Sequence, residues 1–183
     1  MILNINEIAE EIKNFDIVLS EEDILNFVKN RKRWPIRYPW GQPSIEIIDN
    51  LNTGTGSGLF NADNYIVFDK WYQSYEKGFT SILSNVLDLS DDLRKLNLYL
   101  NKKIGKDINA NFYFSKGGQA PSFLAHSHQY PVIIKQIYGT GYWKVNNEEL
   151  TLQPKEIIIL PIKCSHHVYK VVDKKLSLTI NIT

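Results

Sequence analysis

Histidine is the residue type whose spacing in this sequence most clearly suggests chemistry. All four histidines lie after residue 125, as the pair His126 and His128 and the adjacent pair His166 and His167. On a β-strand, side chains two residues apart point to one face, so His126 and His128 could bind one metal ion together. A third ligand from a distant strand would complete a facial set, and only one of the adjacent histidines should face that interior. An HxH pair also occurs as two ordinary polar residues on a strand, so the pair alone leaves both interpretations open.

The elements that must hold these histidines are predicted to be short strands. From residue 107 onward, short apolar segments alternate with turn signals such as Lys116-Gly117-Gly118 and Asn146-Asn147. This pattern is typical of an antiparallel sandwich or barrel, and it predicts eight strands. They cover residues 109–115, 122–128, 131–138, 141–146, 149–153, 156–161, 166–172 and 176–182.

The part of the chain before the strands is predicted to be mainly helical. Apolar residues among the first fifteen positions follow a helical period. Ser20 and Ser90 each precede acidic residues and an apolar stripe, which is the pattern of a helix N-cap. We therefore expect residues 1–106 to form a helical region with mixed elements that packs on a barrel of residues 107–183, within one structural domain.

Composition and charge argue against several classes of protein. The net charge of +1, from 21 basic and 20 acidic residues, gives no field for attracting nucleic acid or an anionic membrane. No segment approaches the ~20 apolar residues of a membrane span. The N-terminus lacks the basic start and apolar run of a signal peptide, and the single Cys164 cannot form an internal disulfide. We expect a cytoplasmic protein with a small-molecule, peptide or protein substrate; the oligomeric state is left open.

Two segments resemble the metal motifs of the cupin-fold JmjC-type hydroxylases. In the first, the HxH pair at 126–128 is followed by an apolar strand and then by Gln136, Gly139 and Trp143. That is the order in which the family has an HxD pair, an apolar strand, a Gln, a Gly and a Trp. The second segment, residues 154–168, resembles the family's "PGD-apolar-P-xx-xx-HHV" motif.

The resemblance covers about residues 78–183. It implies a mainly β fold: a double-stranded β-helix, or jelly-roll, barrel preceded by an α-helical N-terminal region. It also implies one divalent metal on His126, His128 and His166, with His167 as a neighbour of the third ligand. The family's metal is Fe(II) and its cosubstrate is 2-oxoglutarate, so these are the cofactors that the resemblance implies here.

Three features depart from the family's pattern. His128 replaces the acidic ligand, which makes the site one charge more positive but still leaves three imidazoles that can bind Fe(II). Gly141 stands where the family commonly has a lysine that holds the 2-oxoglutarate carboxylate. Lys155 and Lys163 stand where cupins often have glycine, which bears on turn geometry only.

Three residues are candidates for binding a cosubstrate. Lys135 could substitute for the missing lysine, or it could simply point outward. Asn181 lies on the polar face of the last predicted strand, and that face could line the pocket or meet solvent. Tyr113 could bind a carboxylate, or it could only pack with a satisfied hydroxyl.

Three functions are consistent with these residues. The spacing from His126 to Trp143 favours an Fe(II)-dependent oxygenase that hydroxylates a peptide, a protein or a small metabolite. Gly141 favours a three-histidine metal cupin of another kind: an isomerase, a lyase or a cosubstrate-free dioxygenase. A non-catalytic sugar or metabolite binder on the same barrel is the third, and the intact triad argues weakly against it.

Overall fold

The fold is given by a computed structural model that describes residues 4–31, 44–49, 52–54, 59–105, 108–118 and 123–183. Within these residues the chain forms four helices and ten strands. The helices are α1 (Ile5–Asn14), α2 (Glu21–Lys29), α3 (Phe68–Glu76) and α4 (Asp91–Ile104). The strands are β1 (Ile45–Asp49), β2 (Asn52–Gly54), β3 (Thr80–Ser84), β4 (Ile108–Ser115), β5 (Val132–Tyr138), β6 (Gly141–Val145), β7 (Glu148–Leu152), β8 (Ile157–Leu160), β9 (His166–Lys170) and β10 (Lys175–Ile182).

Helices α2 and α4 begin at the serine caps that the sequence predicts. The Ser20 side chain accepts the N–H of Asp23 while the Asp23 carboxylate accepts the N–H of Ser20, which makes a capping box. Ser90 accepts the N–H of Leu93, and α4 ends at Gly105 with φ 61°. A cap of this kind stabilises a helix by about 1 kcal/mol, because it satisfies N–H groups that the helix leaves unpaired. None of the described helices is long and apolar enough to cross a membrane.

The strands form two antiparallel sheets that enclose a jelly-roll barrel. The larger sheet has seven strands in the order β2-β1-β3-β4-β10-β5-β8, and the smaller has three in the order β7-β6-β9. Apolar residues from both sheets meet in one cluster, so the sheets pack face to face. The predicted mainly β barrel with preceding helices is confirmed. Strand β3, which precedes α4, pairs with β4, so the larger sheet includes strands from both sides of residue 106.

The larger sheet is buried on both faces. On its outer face, Leu176 and the other even-numbered residues of β10 lie in the main core together with residues of α1, α2 and α4. On its inner face, Val132 and Ile134 of β5 pack with residues of the smaller sheet, among them Trp143 and Val168. The inner positions of β10 are polar and almost fully buried: Lys175, Ser177, Thr179 and Asn181.

The prediction of a strand over residues 122–128 is wrong for residues 123–128, the part of this range that the structure describes. There the backbone makes only an isolated bridge, between His126 and His166. The segment 123–128 contains no β-branched residue, so it has little preference for extended pairing. The other seven strands predicted after residue 107 are present, with ends that differ by at most two residues.

The turns at Lys155 and Lys163 keep the geometry that glycine would give them. The φ angles are 73° at Lys155 and 62° at Lys163, both in the left-handed region. A side chain in that region costs roughly 1 kcal/mol, which is why glycine is common there. The two lysines therefore raise the conformational energy of these turns but do not change the course of the backbone.

Candidate metal centre

Two segments that are far apart in sequence are tied together at the mouth of the barrel. The N–H of His126 donates to the carbonyl of His166 at 3.1 Å, and the N–H of His166 donates back at 2.9 Å. The N–H of Lys163 donates to the carbonyl of His128 at 2.8 Å. These backbone bonds hold both ligand-bearing segments in register, so the imidazoles meet without a regular strand at 123–128.

The three predicted metal ligands form one cluster. Ring centroids are 4.5 Å apart for His126 and His166, and 5.1 Å apart for the two pairs that include His128. One ligand nitrogen from each histidine lies within 4.8 Å of the others. Three imidazole nitrogens brought together in this way fit a divalent metal such as iron, cobalt or zinc.

Hydrogen bonds orient two of the imidazoles for binding a metal. Nδ1 of His126 is 3.0 Å from the carbonyl of Leu124, and Nδ1 of His166 is 2.9 Å from the carbonyl of Cys164. A carbonyl can only accept, so each Nδ1 carries the proton and each Nε2 keeps its lone pair. Metal-binding histidines usually show this arrangement, in which the distal nitrogen binds the metal and the other is held by the protein.

The surroundings of His128 and His166 favour the neutral form of both imidazoles. Burial lowers the pKa of His166 to about 4, although its hydrogen bond to the Cys164 carbonyl acts in the opposite direction. Burial and the neighbouring His126 lower the pKa of His128. Because a metal binds only unprotonated imidazole, these two side chains are ready to bind a metal near pH 7.

The neighbours of the third ligand have other surroundings. His167 lies beside the same cavity, but it does not belong to the group of three converging nitrogens. Cys164 is buried in the apolar cluster between the sheets, and its carbonyl, not its sulfur, contacts His166. These positions agree with the expectation that His167 is not a ligand and that Cys164 is a small buried residue.

Lys135 lies away from the histidines, on the outer face of the larger sheet. Its Nζ donates to the carbonyls of Ile12, Lys13 and Phe15 at 2.9, 2.8 and 2.6 Å. Those carbonyls end helix α1, so Lys135 caps that helix. The idea that Lys135 holds a cosubstrate in the barrel is therefore corrected: its amine is on the wrong face and is already bound.

Of the other two candidates, only Tyr113 lines the cavity that contains the histidines. Burial raises the pKa of the Tyr113 hydroxyl above its usual range, so this group stays a hydrogen-bond donor. Asn181 is buried on the same inner face of the larger sheet but does not line that cavity. The polar face of β10 thus faces the barrel interior, and the alternative that it meets solvent is excluded.

Sequence interpretation missed one residue of the site, Lys175. Its side chain is only 1% exposed and lines the same cavity as the three histidines. The signal was present in the sequence, because Lys175 continues the polar alternation of Ser177, Thr179 and Asn181 by one step. The sequence predicts a last strand over residues 176–182, which leaves Lys175 just outside it, whereas in the structure β10 begins at Lys175.

The packing around Gly141 explains why no lysine occupies that position. A Cβ atom there would lie 2.7 Å from Nε1 of Trp143 and 2.9 Å from Oε1 of Gln136. The Gln136 side chain is itself fixed, since its Oε1 accepts from Ser177 at 2.7 Å and its Nε2 donates to the carbonyl of Tyr138 at 2.8 Å. A longer side chain at residue 141 would have to displace this buried network.

Comparison with known proteins supports the fold. No family model and no curated protein matches the sequence. The ribosomal oxygenase YcfD from Escherichia coli, solved with cobalt and 2-oxoglutarate, superposes with a TM-score of 0.59 at 14% identity. The match covers 93% of this chain but only 45% of YcfD.

Two shorter matches are to other proteins. KdgF from Halomonas sp. is 16% identical, with a TM-score of 0.37 over 42% of this chain and 70% of its own. A cupin superfamily protein from Desulfitobacterium hafniense is 11% identical, with a TM-score of 0.37 over 41% of this chain and 66% of its own. At 14% identity the match to YcfD bears on the fold alone, and the jelly-roll barrel expected from the two metal motifs is the fold that YcfD shares.

Proposed function

We propose that this protein is an Fe(II)-dependent oxygenase that hydroxylates a peptide, a protein or a small metabolite, with 2-oxoglutarate as cosubstrate. The observation that carries the proposal is the cluster of His126, His128 and His166 in a cavity of the barrel. Three protein ligands leave coordination positions open for other molecules, which a structural metal site does not do. Bound Fe(II) would supply the activation of O₂ in such a site.

The protein's own residues have distinct parts in this proposal. His126, His128 and His166 would hold the metal as neutral imidazoles, so the site would keep the full double charge of the ion and favour an anionic ligand. The hydroxyl of Tyr113 and the side chain of Thr179 line the same cavity and can donate hydrogen bonds. Apolar side chains such as Ile134 complete the wall and limit the access of water.

The likeness to YcfD favours this proposal over other metal-dependent reactions. YcfD is described as a ribosomal oxygenase, and it was solved in complex with cobalt and either 2-oxoglutarate or succinic acid. A cytoplasmic location, expected from the composition, is part of the same proposal.

Metal analysis followed by a turnover assay tests the proposal. Purified wild-type protein should hold about one equivalent of Fe(II), and the iron-loaded protein should convert 2-oxoglutarate to succinate. His166→Ala should lose the metal and the turnover, whereas the matched neighbour His167→Ala should keep stoichiometric metal. Full metal content in His166→Ala would refute the assignment of the ligands.

Gly141 favours a second candidate function. Without the lysine that the resemblance leads one to expect there, a cosubstrate-free metal cupin acting as an isomerase, a lyase or a dioxygenase is the alternative. No detectable 2-oxoglutarate binding by the iron-loaded wild type would favour this alternative. Binding of metabolites by a protein that fails to hold metal would instead favour a non-catalytic binder.

A further inference from the structure

The amine of Lys175 is buried in the barrel without a partner. The side chain is 1% exposed, and Nζ has no hydrogen-bond acceptor among the residues that the structure describes. It is also the only lysine or arginine among the described residues that line the cavity of the three histidines. Buried polar groups are normally satisfied, so an unpaired amine beside a metal site points to a missing ligand.

Burial of this amine is costly in the absence of a ligand. Burial lowers the pKa of Lys175 to about 8, and no carboxylate of the described chain opposes the shift. The amine is therefore still mostly protonated at pH 7, and it places a positive charge inside the barrel. An anion bound there would offset the cost, because a charge-assisted hydrogen bond in a low-dielectric interior is strong.

The backbone fixes the point from which Lys175 enters the barrel. A Cβ atom on Gly139, which has φ 68°, would lie 2.0 Å from the carbonyl oxygen of Lys174 and 2.8 Å from Cα of Lys175. A Cβ atom on Gly117 would lie 2.6 Å from the carbonyl oxygen of Val172. The segment that leads into β10 is thus closely packed against two bends where only glycine fits, and this packing fixes where the backbone of Lys175 lies.

Two hydroxyl groups share the inner face of the sheet and the cavity with this amine. Tyr113 of β4 pairs in register with Ser177 of β10, which places it between Lys175 and Thr179 on the same face. Tyr113 and Thr179 line the same cavity as Lys175. One cation and two hydroxyl groups on neighbouring strands form a set of donors suited to a carboxylate.

We infer that Lys175 binds the distal carboxylate of a dicarboxylic 2-oxo acid whose oxo-acid end reaches the metal held by the three histidines. The inference rests on the proposed function, since it takes the oxo acid to be the cosubstrate. It replaces the missing cation at residue 141 with one from the last strand. A carboxylate of the substrate is the other source of the same chemistry, and the experiments below distinguish the two.

The first experiment compares two oxo acids that differ only in the distal group. 2-Oxoglutarate and 2-oxopentanoate are titrated calorimetrically into the cobalt-loaded wild type, Lys175→Met and the matched neighbour Lys174→Met. Wild type and Lys174→Met should prefer 2-oxoglutarate by about 100-fold, the effect of one well-placed charge-assisted pair. Lys175→Met should bind the two acids within about 3-fold of each other, whereas a preference that survives in Lys175→Met would overturn the inference.

The second experiment separates the inference from the proposed function. Succinate is added to the metal-free proteins, and the thermal midpoint is followed, because a ligand that binds only the folded state raises it. A rise in wild type and Lys174→Met that is absent in Lys175→Met would support a carboxylate site at Lys175, even where 2-oxoglutarate is not turned over and the carboxylate belongs to a substrate. Turnover of 2-oxoglutarate that Lys175→Met leaves unchanged would keep the proposed function and remove Lys175. If Lys175→Met has no effect in either experiment, the inference about Lys175 is refuted, and the proposed function is not.

Discussion

Strands β5 and β10 lie side by side in the larger sheet, yet the lysines that they bury meet opposite surroundings. Lys135 of β5 points to the outer face, where three carbonyls at the end of α1 accept its hydrogen bonds. Lys175 of β10 points to the inner face, where no described residue accepts from its amine. Both amines are nearly inaccessible to solvent, with 2% and 1% of the residue exposed.

The difference between the two amines is the presence or absence of acceptors, and it has opposite consequences for stability. A buried ammonium that donates to several carbonyls regains much of the hydration that it loses, and it satisfies a helix end that would otherwise be unpaired. A buried ammonium without acceptors destabilises the folded state until a ligand arrives. Groups of the second kind are concentrated at binding and catalytic sites, where the stability cost is offset by binding.

The largest effect in this comparison should come from replacing Lys135. Burial lowers the pKa of Lys135 to about 8 as well, but its amine donates to three carbonyls, and these charge-assisted hydrogen bonds outweigh the cost of burial. Lys135→Met removes all three and should lower the free energy of unfolding by about 4 kcal/mol. Urea denaturation followed by circular dichroism would measure it. Lys155→Met, at an exposed residue paired with Asp16, should change the value by less than about 0.5 kcal/mol. A loss at residue 135 as small as the control's would mean that the α1 carbonyls are satisfied without the lysine.

Replacing Lys175 should have the opposite sign. A pKa that falls from 10.5 to about 8 on folding corresponds to about 3 kcal/mol of destabilisation of the charged amine. Lys175→Met removes that charge and should raise the free energy of unfolding of the ligand-free protein by about this amount at pH 7. The same denaturation series would measure it, and a destabilised Lys175→Met would contradict the view that this amine lacks partners.

The free energies of unfolding of wild type and Lys175→Met should also depend differently on pH. Below pH 8 the amine of Lys175 is charged in both the folded and the unfolded chain, so the wild type bears the full cost. Between pH 8 and 10.5 the folded protein loses the proton while the unfolded chain keeps it, so the stability of the wild type rises. The advantage of Lys175→Met should shrink across this window to below about 1 kcal/mol.

Tyr113 and His166, which line the same cavity, do not titrate within that window. Burial holds the pKa of Tyr113 above the range and that of His166 far below it, at about 4. Unfolding at a series of pH values, in wild type and variant together, gives the difference directly. A difference that stays constant from pH 7 to 10.5 would show that the Lys175 amine does not titrate in this range.

Much of the fold could be predicted from the sequence because its signals are local. The serine caps of α2 and α4 and the turns between strands depend on neighbouring residues. Helix α3 was missed because it is rich in aromatic residues, which form helices only moderately well, and because Val67 supplies no side-chain cap. The order of two motifs predicts His126, His128 and His166 as metal ligands, and the structure brings these three side chains together.

The face on which each lysine lies could not be predicted, since it depends on pairing between distant strands. Strand β5 is apolar on both sides, so its sequence does not indicate which side Lys135 occupies. The register between β5 and β10 decides which face each side chain occupies. Lys135 pairs with Leu178 on the outer face, while Gln136 is opposite Ser177 on the inner face. Lys175 lies at the boundary between a turn and a strand, where sequence interpretation is least certain, and one residue changes the face.

The smallest effect should come from a second pair of lysines, for which the surroundings should not matter. Lys155 and Lys163 are both exposed and both have φ angles in the left-handed region, 73° and 62°. Glycine at either position relieves about 1 to 2 kcal/mol of backbone strain but makes the unfolded chain more flexible. Lys155→Gly and Lys163→Gly should therefore each stabilise the protein by about 0.5 to 1 kcal/mol.

The alanine variants keep the strain and should show no gain, and metal content should be unchanged in Lys163→Gly because its N–H still donates to the His128 carbonyl. Equal gains at both turns, beside opposite changes at Lys135 and Lys175, would show that the contrast between the two buried lysines arises from what their amines contact. A gain at one turn only would mean that contacts of the side chain, and not backbone strain, set the cost of lysine there.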